Sequence, residues 1–308
     1  MPTPLIRSRQ LGPDVGRANQ FVNGGFEFNQ RGASTYPAAN WGLDRWTTSV
    51  VGSATYSSSG PDTAHVDVGS AQCIATVVTA TSNGAGGSAT WCTTQQMLEH
   101  YKQLRGIPLS ASFRVMSAIA GSSRGYWYDG NYNYSPALAT PAGAYTTLRW
   151  TFTPAANAPT LYVGVTFDTV TTWYVDNAML VCGPGQVDFV PMPMTDDLAR
   201  CLRYYEIIGT PTATAVELGL GVCYTTANAV VSWKWVQKAV TPTLTVVGSP
   251  GLINAGGAVI AISSVQGQGI GLNCGGVILG SGGGLVAGNG TRLYAQAAQQ
   301  YITLEANP

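Results

Sequence analysis

Charge is scarce in this chain of 308 residues: 15 Lys and Arg stand against 15 Asp and Glu, 10% of the residues, and they sum to zero. A nucleic-acid binder carries a basic excess or stripe, and a disordered chain combines high net charge with few aromatics; the composition excludes both. Histidine is scarcer still. His65 and His100 are too few for a three-histidine zinc site. None of the six cysteines (Cys73, Cys92, Cys182, Cys201, Cys223, Cys274) stands in a CxxC pair. They read as small buried hydrophobes rather than zinc ligands or a disulfide ladder, with a Cys73–Cys92 bridge left open if the two flank a hairpin. No apolar run approaches the length of a membrane span. The opening MPTPLIRSRQLGPDVG has no apolar core of a secretory leader, so a soluble product of a cytoplasm is expected. P-loop, GxSxG and HExxH patterns are missing. GQGIGLNCG at 267–275 has its third glycine out of place for a dinucleotide fingerprint and no helical pattern behind it.

What is present is 45% hydrophobic residues, with 38 Gly and 17 Pro. That mix suits many short strands joined by tight turns, and the expected fold is all-β. Residues 1–20 are polar and aperiodic and read as an N-terminal anchoring arm, with Arg7, Arg9 and Arg17 available to meet an acidic surface. Residues 21–189 hold alternating runs: TLRWTFTP at 147–154, TLYVGVTFD at 160–168 and TWYVDNAMLV at 172–181. Leu148, Trp150 and Phe152 fall on one side of the first, the period-two pattern of a half-buried strand. Several such runs imply a β-sandwich. Two short helices are expected. TTQQMLEHYKQLRG at 93–106 places Met97, Leu98, Tyr101 and Leu104 at helical spacing, and TDDLARCLRYYEIIG at 195–209 does so for Leu198, Cys201, Leu202 and Tyr205. The second helix belongs to a linker, residues 190–209, because VPMPM before it is held extended by proline. Residues 210–308 form a smaller C-terminal β domain, with strands at 229–237 and 292–306 around a glycine-rich tract.

The densest unusual patch is RGYWYDGNYNY at 124–134. Sugar rings stack their apolar faces on flat aromatics and need amide and carboxylate partners for their hydroxyls. Tyr126, Trp127, Tyr128, Tyr132 and Tyr134, with Asp129, Asn131 and Asn133 between them, offer both, so a glycan-contacting loop is one reading. The other is that these aromatics fill the sandwich core or a subunit interface. A glycosidase needs two converging carboxylates. The candidates Glu27, Asp44, Asp129, Asp168 and Asp176 are scattered, and no spacing pairs them.

Two sets of residues carry resemblances. NGGFE at 23–27 and WYVDNAMLV at 173–181 resemble the first and last strands of carbohydrate-binding-module jelly rolls. That resemblance implies a structural calcium shared by Glu27 and Asp176; read without it, the two carboxylates accept backbone hydrogen bonds or one pairs with Arg31. It also implies a first strand on which Phe26 and Phe28 share a face. The order FEFNQRG, LDRW, QQMLEHYKQLRGIPLSASFRV, DLARCLRYYE and KAVTPTLTV resembles fibre, spike and tail-appendage proteins of tailed bacteriophages and phage-like particles over about residues 21–247. It implies a buried Trp46 with Asp44 and Arg45 in local bonds, and no fixed active site.

Together these give an expected virion structural protein, assembled in a bacterial host cytoplasm. It has a jelly roll and a smaller β domain, is attached to capsid, portal or tail, forms a homotrimer, and binds host surface polysaccharide without catalysis, nucleic acid or membrane. The alternatives are a surface-polysaccharide depolymerase and a purely architectural capsid or tail protein.

Overall fold

The computed structural model describes residues 19–36, 42–81, 91–185, 188–212, 215–254 and 256–307. Residues 1–18, which include Arg7, Arg9 and Arg17 of the expected arm, lie outside the described residues. The chain forms two compact units that part between Leu198 and Ala199.

The first unit is a jelly-roll β-sandwich. One sheet runs in the order β1 (Thr47–Val51), β4 (Trp91–Met97), β10 (Tyr162–Phe167), β6 (Gly121–Tyr128), β7 (Tyr132–Tyr134), with β8 (Leu138–Thr140) also paired to β6. The other runs β2 (Thr55–Asp62), β3 (Cys73–Ala80), β11 (Thr172–Cys182), β5 (Leu109–Ser117), β9 (Thr146–Phe152). Most connections cross from one sheet to the other, so each strand buries one face against the opposite sheet. The alternation in β9 does this directly: Leu148, Trp150 and Phe152 are buried. Trp150 lies on the backbone of β6, where a Cβ on Gly125 would come within 2.3 Å of its ring. Only glycine fits there.

The core is aromatic. Trp46 is fully buried, with ring centroids of Phe26, Phe21 and Phe113 at 4.7, 5.1 and 5.9 Å. Its indole N–H donates to the Asn23 carbonyl at 2.8 Å. NGGFE is therefore not a strand but a run of turns wrapped onto this tryptophan. Asn23 (φ 56°) and Phe26 (φ 58°) are left-handed, a conformation asparagine tolerates better than most residues. Gly24 presses on β11, where a Cβ would lie 2.6 Å from the Ala178 carbonyl. Phe26 is buried and Phe28 only half-buried, so the two do not share a strand face. Asp44 does bond locally, accepting from the Gln30 side chain at 2.8 Å. Arg45 instead reaches across to the Met97 carbonyl.

The helix expected at 93–106 starts as strand and keeps only one helical turn. Trp91–Met97 pairs with β1 on one side and β10 on the other, and only Tyr101–Leu104 forms one turn of helix, α1. Threonines and period-two burial outweigh the helical spacing once both neighbouring strands are in place. Likewise α2 covers Met194–Leu202, and Tyr205–Ile208 leaves it as strand β12. Cys73 and Cys92 lie in different sheets and are free thiols; Cys182 and Cys274 are exposed rather than buried.

The second unit holds a three-stranded sheet, β12, β20 (Tyr301–Glu305), β15 (Thr243–Val247), and a closed six-stranded barrel. Around the barrel run β13 (Val216–Cys223), β14 (Asn228–Lys234), β18 (Cys274–Ser281), β17 (Val259–Gln268), β16 (Gly251–Ile253) and β19 (Gly290–Ala295). Its core is Val231, Leu252, Val277, Leu279 and Leu293, all fully buried. The single strand expected at 292–306 is two, β19 and β20, broken by a turn with Gln299 at φ 62°. The GQGIGLNCG stretch makes the β17–β18 hairpin connection.

Trp46→Ala is expected to lower the stability of the first unit by about 3–5 kcal/mol in urea unfolding followed by tryptophan fluorescence. A loss below about 1 kcal/mol contradicts the central place given to this side chain.

Candidate functional site

Strand alternation divides the RGYWYDGNYNY stretch between two faces. Trp127 points inward, stacks on Phe152 at 4.8 Å and packs half-buried against the core. Tyr126 and Tyr128 point outward, and the β6–β7 register sets Tyr134 and Tyr132 directly opposite them. Tyr162 on β10 is the next neighbour of Tyr128, with ring centroids 6.3 Å apart. Asp129 also turns away from solvent. It is buried, and its carboxylate accepts the Ala155 N–H at 2.9 Å and the Asn133 side chain at 3.0 Å. It holds the hairpin turn. Asn131 is exposed at the tip. Tyr132 is 57% exposed and open to a ligand.

Beyond Tyr162 the same outer face continues onto β4, where Trp91, Thr93 and Gln95 alternate with the inward Cys92, Thr94 and Gln96. Trp91 and Tyr134 meet with ring centroids 4.7 Å apart, edge to face. Their strands are separated by β10 and β6. Three strand spacings are about 14 Å, a gap that the two long side chains bridge across β10 and β6. The face is a trough walled by aromatic rings.

The polar groups in this trough are unsatisfied. Trp91 Nε1, Thr93 Oγ1, Gln95 Oε1 and Tyr134 OH are buried with no hydrogen-bond partner, and Thr93 as a whole is 1% exposed. A buried polar atom without a partner costs about 1–3 kcal/mol, and native structures hold few of them. Four of them fall on this one face, while others, Thr94 Oγ1 and Trp150 Nε1 among them, lie in the core. Burial, and then the neighbouring tyrosines, raise the Tyr126 pKa; burial raises that of Tyr134. Both phenols stay neutral and able to donate. Thr93 and Gln95 were absent from the sequence candidates because 93–106 reads as helix, and the signal for them and for Trp91 was the alternation in WCTTQQM. Tyr162 lies in an expected strand, and only the strand pairing shows it beside Tyr128.

Glu27 lines a cavity together with Asp67, Ser70 and Asn177, the three residues that bond to Asp176. Asp176 is fully buried in β11. One carboxylate oxygen accepts Ser70 Oγ–H and the Asn177 N–H, the other the Asp67 N–H, at 2.7–3.0 Å. Burial pushes its pKa up to about 6, against the hydrogen bonds, which lower it. Asp67 beside it is bound by Arg114 through two guanidinium nitrogens. Burial works to raise the Asp67 pKa, but the Arg114 and Val68 hydrogen bonds and the Arg114 charge outweigh it and hold it below the usual range. Among the described residues no group of three or more His, Cys, Asp or Glu is placed to hold a metal. Asp176 faces N–H and O–H donors, and Arg114 already supplies the positive charge. The residues do not fit the calcium that the resemblance implied. Arg31 lies 3.8 Å from Asp44.

No protein-family model matches the chain, and no curated protein matches it. Among solved structures, the C-terminal family 22 carbohydrate-binding module of Clostridium thermocellum Xyn10B is similar over 54% of this chain and 99% of its own, at 15% identity and a TM-score of 0.37. TmCBM61, a module solved with β-1,4-galactotriose, is similar over 54% of this chain and 99% of its own, at 13% identity and a TM-score of 0.34. The enzymatically active domain of tailspike protein 4 of bacteriophage CBA120 is similar over 55% of this chain at 13% identity and a TM-score of 0.34, and the match spans 22% of that chain.

The raised Asp176 pKa has a consequence for stability. A carboxyl group protonated more readily in the folded than in the unfolded chain favours folding at low pH, and that contribution is lost as pH rises through the folded value, here about 6. Asp67 works the other way, its contribution being lost as pH falls below its ordinary 3.8. Thermal melts of wild type and Asp176→Asn between about pH 4 and 7 are therefore expected to show wild type losing stability relative to the variant as pH rises. A constant gap contradicts the assignment.

Proposed function

We propose that the protein is a non-catalytic glycan-binding component of a virus-like particle, and that it holds a sugar chain in the trough on the outer face of the first sheet. The observation that carries this is the set of four buried, unpartnered polar atoms on Trp91, Thr93, Gln95 and Tyr134 in an aromatic-walled trough. Sugars match both halves of that surface. The four atoms have no open surface in the free protein, so the sugar enters as the Trp91 and Tyr134 rings part; its C–H faces then lie against tyrosine and tryptophan rings, and its hydroxyls donate to Thr93 and Gln95 or accept from Tyr134 and Trp91.

The non-catalytic reading is supported by the acids nearest the trough. Asp129 is bound by Ala155 and Asn133, and both oxygens of Asp168 accept from Ser122. Neither is free to act as acid or base as a depolymerase requires. Attachment to a capsid or tail, and a homotrimer on the particle, rest on the ordered resemblance over residues 21–247; weak sites repeated on one particle gain by avidity.

The trough is tested on an array of bacterial surface polysaccharides followed by calorimetry on the strongest binder. Trp91→Ala is expected to weaken binding about tenfold or more. Thr93→Val is the sharper variant. It removes an unsatisfied hydroxyl with almost no change of shape, so the free protein is expected to be as stable or more stable while affinity falls. Both variants binding as wild type does would refute the trough. Placement on a particle is checked by gold-labelled antibody in electron microscopy; purified particles lacking the label contradict the virion reading.

A further inference from the structure

The outer face of the second sheet carries a separate cavity of about 540 Å3, lined by Glu27, Asp67, Ser70, Arg114, Thr147, Arg149, Asn177, Asp188 and Phe189 among others. Its volume suits one or two sugar rings. Three carboxylates and two guanidiniums face it. Arg114 is committed to Asp67 and also donates to Thr147 Oγ1; Arg149 pairs with Asp188 through Nη2, while its Nε is buried without a partner among the described residues. Glu27 is left over. Among the described residues no hydrogen bond or ion pair ties its carboxylate. It is half-buried, which makes a lone charge costlier than at an open surface. Phe189 provides an apolar wall beside it, its ring lying over Gly25, within 3.3 Å of where a Cβ there would sit.

We propose that this cavity binds an amino sugar with a free, protonated amine. The ammonium pairs with Glu27, the ring lies against Phe189, and the neighbouring hydroxyls meet Ser70, Thr147 and Asn177. An acidic sugar is disfavoured, since it would face Glu27 and would have to take Arg114 or Arg149 from its aspartate. A neutral sugar leaves Glu27 uncompensated. The site is independent of the trough, which lies on the other sheet.

The test is an NMR titration of the full chain with glucosamine, glucose, N-acetylglucosamine and calcium chloride as separate arms, at a pH where the amine is charged. Glucosamine is expected to shift the Asn177 and Thr147 signals, with glucose and N-acetylglucosamine at least about tenfold weaker, the scale of one charge-assisted hydrogen bond. Glu27→Gln is expected to remove the preference for the amine while keeping the wild-type melting temperature, and Trp91→Ala to leave binding unchanged. Equal binding of the three sugars, an unchanged preference in Glu27→Gln, loss of binding in Trp91→Ala, or shifts with calcium alone would each overturn the proposal. The Trp91→Ala result also separates it from the trough, because only a ligand seated there loses affinity in that variant.

Discussion

The first unit is organised around one indole. Trp46 is fully buried with Phe21, Phe26 and Phe113 around it, and its N–H donates to the Asn23 carbonyl. That hydrogen bond satisfies a buried donor and fixes where the turns at 23–28 lie. The Gln96 amide completes the attachment, accepting from Val22 N–H and donating to Val22 C=O at 2.8 and 2.7 Å. Because Gln96 faces inward on β4, its neighbours Gln95 and Met97 must face outward. The same pinned turns bring Glu27 to the edge of the cavity on the other sheet. Both candidate sites thus depend on how this segment is held, although neither contains Trp46.

A sheet with a core on one side makes every second residue available on the other. On β6 and β7 that rule turns one aromatic stretch into an inward residue, Trp127, and an outward group of four tyrosines. Trp91 and Tyr134 meet across the outward side, and the hydroxyl and amide oxygens of Thr93 and Gln95 beside Trp91 on β4 are buried. The geometry that makes the trough dry is also what leaves its polar atoms unpaired. A ligand with hydroxyls relieves that cost, and a purely apolar one does not.

Parts of this were legible in the chain itself. The alternation at 147–154, 160–168 and 172–181 gives β9, β10 and β11 almost residue for residue, and the tyrosines of the trough stand out by density. The other half of the trough did not show. Residues 93–106 satisfy a helical spacing through Met97, Leu98, Tyr101 and Leu104, and nothing local tells that Trp91–Met97 lies between two other strands. Glu27 and Asp176 were legible as a pair of interest, but the donors around Asp176 were not. Which donors reach a carboxylate depends on contacts more than a hundred residues apart in sequence, such as Asp67 N–H to Asp176. The left-handed Phe26 is a further case, since a bulky residue gives no local sign of that conformation.

The account stands or falls on where a sugar sits. A crystal structure of the protein with a bound oligosaccharide is the most direct measurement. It is predicted to place sugar hydroxyls within hydrogen-bond distance of Thr93 Oγ1 and Gln95 Oε1, with one ring against Trp91 or Tyr134. A sugar bound elsewhere, with those two oxygens still unpaired or occupied by water, would contradict it.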